Sequence, residues 1–247
     1  MKLLPFLRLA CALCLALVAT CAGAVDIIPL YVIYEGAPFA PDQPGSLSDK
    51  LATNLNEQAK GRYLFVPTAL PRKRVEVLMD DPNWRGVVAW VNPEFFGDRS
   101  HTKYLWSAPL YTDSNLVLSR RGSPVDYKTP LSLRGLRVGT IDSFRHPDLE
   151  PLFAGGGSMR ADVHARSQNM FKLRAGRIDA VLMQASAMAQ LRRDHPDLEQ
   201  WAHIARQPQA VYQRHLLVSN DLALYGLINH MLADMQREPA WKQLADM

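Results

Sequence analysis

The stretch at residues 131–144, LSLRGLRVGTIDSF, limits what this chain can fold into more than any other. Leu133, Arg134 and Gly135 read as a turn, residues 136–140 as a short strand, and Asp142 with Ser143 as a polar loop able to open a helix. A polar loop between the carboxyl end of a buried strand and a following helix is where open α/β sheets hold ligands, because the first helical amides there lack partners. The same pattern also serves as a plain strand-to-helix connection. Residues 178–183, IDAVLM, repeat the polarity about 40 residues later and end at Gln184. Strands recurring with helical segments between them predict an α/β fold with a mostly parallel sheet.

Taken in order, residues 27–34 are rich in Ile, Val and Tyr and read as a strand that stops at Glu35-Gly36-Ala37-Pro38-Phe39. That turn leaves Tyr34 and Phe39 near the strand's carboxyl end. Leu47, Leu51, Leu55 and Ala59 recur at four-residue spacing behind Gly45-Ser46, which predicts a helix ending at Gly61. A short strand at 63–66 leads to Pro71 and a basic helix. Its run Arg72-Lys73-Arg74 either faces an anionic ligand or forms a solvated surface. Residues 86–91, GVVAWV, are the continuous apolar run of a buried parallel strand. Trp90, Asn92 and Arg99 follow at its end, where a ring can stack on a planar group and a guanidinium can fork onto a carboxylate; the alternative has Trp90 in the core and Arg99 on the surface.

Two extended pieces, at 115–120 and 210–219, bracket a second group of strands and helices. Ser167 is expected to cap the helix carrying Met170 and Leu173, and a helix is expected over 185–193. Gly155-Gly156-Gly157 has no Lys-Ser or Lys-Thr after it, so it reads as a turn and not a phosphate cradle. Asn220-Asp221 should cap a long final helix with Leu224, Ile228, Leu232 and Met235 on one side, followed by a tail helix with Trp241. One crossing outward and one back predict a discontinuous first lobe, 25–113 plus 214–247, around a second lobe, 114–213. A cleft between them is the natural ligand site.

The first 24 residues stand apart. Lys2 and Arg8, an apolar run at 9–18 and Ala22-Gly23-Ala24 fit a secretory signal cleaved after Ala24. The apolar run is short for a membrane anchor, and a lipidated Cys21 would follow an unusually large Thr20. Cys11, Cys14 and Cys21 are all in this segment, so the mature chain folds without disulfides. Removing Lys2 and Arg8 lowers Lys+Arg from 28 to 26 against 24 acidic residues, a net charge of +2. That is too small to argue for a nucleic-acid partner.

These features together resemble a periplasmic solute-binding protein of family 3, the polar amino acid uptake type with the two-lobed type II fold. The resemblance is carried by YEGAPF (34–39), GVVAWVN with Arg99 beyond it, YLWSAPLY (104–111), LSLRGLRVGT, LRAGRIDAVLM (173–183) and the closing helix. It implies lobes that close on a ligand by hinge bending, and an expected monomer serving an inner-membrane permease or receptor. It also implies a carboxylate clamp at Arg99 and the 141–145 loop, although Asn92 stands where the family's loop usually has threonine. The family's amino-group aspartate is matched by Gln184, a neutral amide, so ordinary α-amino acids should bind weakly or not at all.

The expected ligand-binding set is Tyr34, Phe39, Arg74, Trp90, Asn92, Arg99, Thr140, Ser143, Phe144, Arg145 and Gln184. With Arg72 it suggests a carboxylate-bearing or aromatic small solute and no cofactor. The same fold hosts dehydratase-like enzymes, for which Glu35, Glu94, Asp142, His101 and His146 would be the acid/base candidates. However, no nucleophile elbow, zinc motif or mature cysteine is present, so no catalytic residue is assigned. A sensor feeding a membrane receptor needs the same closing cleft as an uptake component.

Overall fold

The parallel strands that the sequence announces gather into one curled sheet with helices on its faces. The computed structural model describes residues 25–41, 43, 45–237 and 241; the expected signal segment and all but Trp241 of the tail helix lie outside them. The first unit contains β1 (Asp26–Val32), α1 (Leu47–Ala59), β2 (Tyr63–Ala69), α2 (Arg72–Met79), β3 (Val87–Val91) and the two-residue β4 (Leu105–Trp106). β5 (Tyr111–Arg120) leads into β6 (Arg137–Ile141), α3 (Glu150–Ala154), β7 (Met159–Val163), α4 (Arg166–Arg174) and β8 (Ala180–Gln184). Then come α5 (Met188–Asp194), α6 (Leu198–Trp201), β9 (Ala202–Ile204), the return strand β10 (Ala210–Val218) and α7 (Leu222–Met235).

The strand order is β2-β1-β3-β10-β5-β8-β6-β7, with β4 on β10 and β9 on β5. β2, β1 and β3 run parallel, as do β8, β6 and β7. The crossings β5 and β10 run antiparallel to their neighbours. The mixed, mostly parallel sheet expected in each lobe is present, and β10 belongs to both. Its residues 210–214 pair with β5, and from His215 onward it pairs with β3 and β4, with a bulge between His215 and Leu217. Nine residues are long enough to serve both half-sheets, and the bulge turns the strand between them.

Three apolar clusters follow this division. The largest packs Leu51, Leu55 and α7's Ile228 and Leu232 on β1 and β3. Two smaller ones cover opposite faces of the second half-sheet, around Met170 and Leu173 on one side and Leu133 and Leu149 on the other. Ser46 caps α1 by accepting the Asp49 amide at 3.1 Å, and Asp221 caps α7 through Ala223 and Leu224. The predicted Ser167 cap is displaced: Ala165 holds the cap position, two residues earlier, and the Gln168 side chain accepts the His164 and Ala165 amides instead. Helix 185–193 is divided into a 3-10 turn, Ala185–Ala187, and α5. β4, β9 and α6 are too short for sequence periodicity to mark. None of the described helices is long and apolar enough to cross a membrane.

Candidate functional site

A cavity of about 270 Å³ lies between the half-sheets, where the carboxyl ends of β1, β6, β7 and β8 converge. One wall comes from Ile33, Tyr34, Glu35 and the start of α2 (Pro71, Arg72, Lys73). The other comes from the 141–144 loop, His164, Arg166 and Gln184. The rings of Tyr34 and Phe144 meet edge to face across the division at 5.7 Å. Lys73 Nζ reaches Asp142 Oδ2 at 2.9 Å, with His164 Nδ1 at 3.9 Å. The hydrogen bond from Lys73 holds the Asp142 carboxyl below its usual pKa against a smaller desolvation. These contacts bridge the two units on the open side of the cavity.

Beneath the cavity is a buried hub centred on Arg214, the last β10 residue paired with β5. Its Nε and Nη2 donate to Asp113 Oδ2 at 2.8 and 2.6 Å, and its Nη1 donates to the Tyr34 hydroxyl and the Trp90 carbonyl at 2.7 and 2.6 Å. Its guanidinium lies over the rings of Tyr34, Phe39 and Tyr212. Burial alone would depress the Arg214 pKa; Tyr212, Tyr34 and Asp113 outweigh it, and the net shift is upward. Asp113 also accepts Ser186 N at 3.1 Å and Oγ at 2.7 Å, so the hub takes in the turn after β8. Tyr34 thus presents its ring to the cavity while its hydroxyl, which also donates to the Trp90 carbonyl at 3.1 Å, is held by the strand that both half-sheets share.

Trp90 is fully buried, a correction to its expected ligand role. Its ring stacks on Phe39 at 5.1 Å and Trp241 at 6.2 Å, and its indole donates to Ser48 Oγ at 2.8 Å. A positive φ of 65°, rare for a bulky residue, accompanies a carbonyl that serves two donors in the hub. Phe39 lies buried between that ring and Arg214, not on the cavity wall. Arg99 is also displaced from its expected place. Its side chain is 83% exposed, pairs with Glu94, and borders a separate groove with Asn92, His101 and His215. Arg74 is exposed and lines none of these cavities, because α2 turns Val75 and Met79 inward and Arg74 outward. Thr140 is buried in β6, where its hydroxyl bonds Asp162 at 2.5 Å.

Of the expected set, Tyr34, Ser143, Phe144 and Gln184 line the cavity between the half-sheets. Asn92 and Arg145 border a smaller void of about 20 Å³ behind Phe144, beside His146 and Tyr212. Arg72 reaches the cavity too, but it is buried against Glu76, the Phe95 carbonyl and the Phe96 ring.

Sequence reasoning missed Arg166. It opens α4, half-buried on the cavity wall, donating to the Ala37 carbonyl at 3.4 Å and Gln184 Oε1 at 3.2 Å. Burial, reinforced by the Arg214 charge, pulls its pKa below the ordinary arginine value. A signal was present: an arginine at a helix's first position opposes the helix dipole, which favours anions there.

No protein-family model matches the chain. No curated protein matches it in sequence. Solved structures do match in fold. An ancestral arginine-binding protein bound to arginine superposes with a TM-score of 0.72 at 13% identity, covering 91% of this chain and 98% of that one. The ligand-binding core of GluR0 from Nostoc punctiforme, in complex with L-glutamate, gives 0.67 at 13% identity over 90% and 97%. An amino acid ABC transporter substrate-binding protein from Streptococcus pneumoniae, bound to L-arginine, gives 0.67 at 14% identity over 90% and 93%. Over nine-tenths of its length, this chain has the two-lobed α/β fold of the type II periplasmic binding proteins.

Proposed function

We propose that the chain is an extracytoplasmic solute-binding protein that closes its two lobes, 25–113 plus 214–247 and 114–213, over a small polar solute. The observation that carries this reading is the cavity itself, walled from both half-sheets by strand ends and backed by the Arg214 hub on the shared strand. Export by a signal segment cleaved after Ala24, and delivery of the closed form to an ABC-type permease, complete the proposal. The ligand contacts assigned are Tyr34, Ser143, Phe144, Arg166 and Gln184. The reading is a binding one, supported by the binding proteins among the solved structures that share the fold.

Ligand sensing is the second reading, favoured by the fold shared with the GluR0 ligand-binding core at the same TM-score as the transport component. Thermal unfolding of the mature protein against a panel of small solutes tests binding. A ligand-dependent rise in Tm, with the solute recovered chemically unchanged, supports it; turnover of the solute overturns it. A permease and ATPase encoded beside this chain favour uptake, and a signalling receptor there favours sensing.

A further inference from the structure

The charges around the cavity do not balance, and the imbalance specifies a ligand. Arg72 is neutralised by Glu76, Lys73 by Asp142, and Arg214 by Asp113. Among the described residues, Arg166 hydrogen-bonds a carbonyl and an amide oxygen, both at 3.2 Å or more, while the carboxylates of Asp113 and Asp194 act on it through space without a bond. A half-buried cation with neutral partners keeps much of its desolvation cost, and an incoming anion removes it. Glu35 is the remaining lining acid, but it is exposed at the rim, where water screens it. A ligand ammonium placed beside Gln184 would therefore face Arg166 without a carboxylate of its own.

Size and wall chemistry add to this. An apolar cavity of about 150 Å³ holds benzene, so about 270 Å³ accommodates one ring with a small substituent. Phe144 and Tyr34 offer ring faces and edges, and Ile33 and Ile141 extend the apolar wall. Gln184 Oε1 accepts from Arg166, which leaves its amide nitrogen as a donor for the same anion.

Building on the solute-binding reading, we infer that the ligand is an organic monocarboxylate without a cationic group, its carboxylate on Arg166 and Gln184 and its apolar body against Phe144 and Tyr34. This is a different class from the arginine and glutamate bound by the structures that share the fold.

Calorimetric titration of the full mature chain tests it with benzoate and hexanoate as carboxylates, benzamide as the uncharged counterpart, and L-arginine and L-lysine as cationic amino acids. The expected result is that benzoate or hexanoate binds at least about tenfold more tightly than benzamide or either amino acid. Arg166→Gln should then weaken the carboxylate about tenfold to a hundredfold, the worth of a charge-assisted hydrogen bond. Gln184→Glu, which supplies Arg166 with an internal partner, should weaken it as well and serves if Arg166→Gln does not fold. Tighter binding of arginine or lysine overturns the ligand class and leaves the solute-binding reading intact. Carboxylate binding that neither variant weakens also overturns the assignment to Arg166. No binding in any arm overturns the inference together with the reading beneath it.

Discussion

Trp90 contributes its carbonyl, not its ring, to the region between the lobes. The apolar run 86–91 shows that a strand is buried on both faces, but such a run does not say which side chain emerges at its end. The left-handed backbone at Trp90 sends the ring into the core and leaves the carbonyl for Arg214 and Tyr34. Trp90→Ala should cost about 3–5 kcal/mol of unfolding free energy in urea. Arg99→Ala, on an exposed side chain, should change it by less than about 0.5 kcal/mol and leave ligand affinity intact. Tyr34, Ser143, Phe144 and Gln184 were legible because each lies at or within three residues of a strand's carboxyl end, where a position in sequence fixes a position in space. Arg166 was not, because the helix expected behind Ser167 starts two residues earlier, which moves Arg166 from the preceding loop to the helix's first position.

His146 makes a pH prediction. It is buried, and its Nδ1 has no hydrogen-bond partner among the described residues. Burial first, then the charges of Arg160 and Arg72, hold its pKa down to about 3 from an ordinary 6.5; Glu150 on the neighbouring turn bonds its backbone amide. The unfolded chain therefore takes up this proton before the folded one. The stability contribution is complete above pH 6.5 and is lost as pH falls toward 3, with a slope of up to about 1.4 kcal/mol per pH unit. In urea titrations between about pH 6 and about pH 4, His146→Gln should flatten the fall in stability. An unchanged slope would assign the acid sensitivity to other groups.

At the scale of elements, periodicity located the long helices and the alternation of β and α, and the cap residues Ser46 and Asp221 located two of the helix starts. It could not show that β10 would serve two half-sheets, since the switch of partner between Arg214 and His215 is a property of pairing and not of composition. The hub at that switch holds a charge pair with side chains 1% and 0% exposed. Removing one partner of a buried pair typically costs about 3–5 kcal/mol, because the other charge is left in a dry site. Asp113→Asn should therefore lower urea stability by about that amount, and the double change Asp113→Leu with Arg214→Met should recover most of it. By contrast, Lys73 is 68% exposed in its pair with Asp142. Lys73→Gln should cost less than about 1 kcal/mol in stability. It should also enlarge the radius of gyration measured by X-ray scattering without ligand, because the bond crosses the open side of the cavity. An unchanged radius would mean that the hub alone holds the lobes together.

At the scale of the whole molecule, each half-sheet supplies one wall of the cavity. A ligand that binds only the closed arrangement should raise stability by about 2.7 kcal/mol at a concentration one hundred times its Kd, and scattering should show no further compaction once the lobes have met. Asn115 and Ala210 sit opposite one another in the ladder, so the polypeptide departs and returns through adjacent residues. The intervening stretch, 116–209, holds β6, β7 and β8, and the pairing among β1, β2 and β3 does not pass through it. One wall of the cavity thus rides on a single unbroken insertion, and the strand pairing behind the other wall is complete without it.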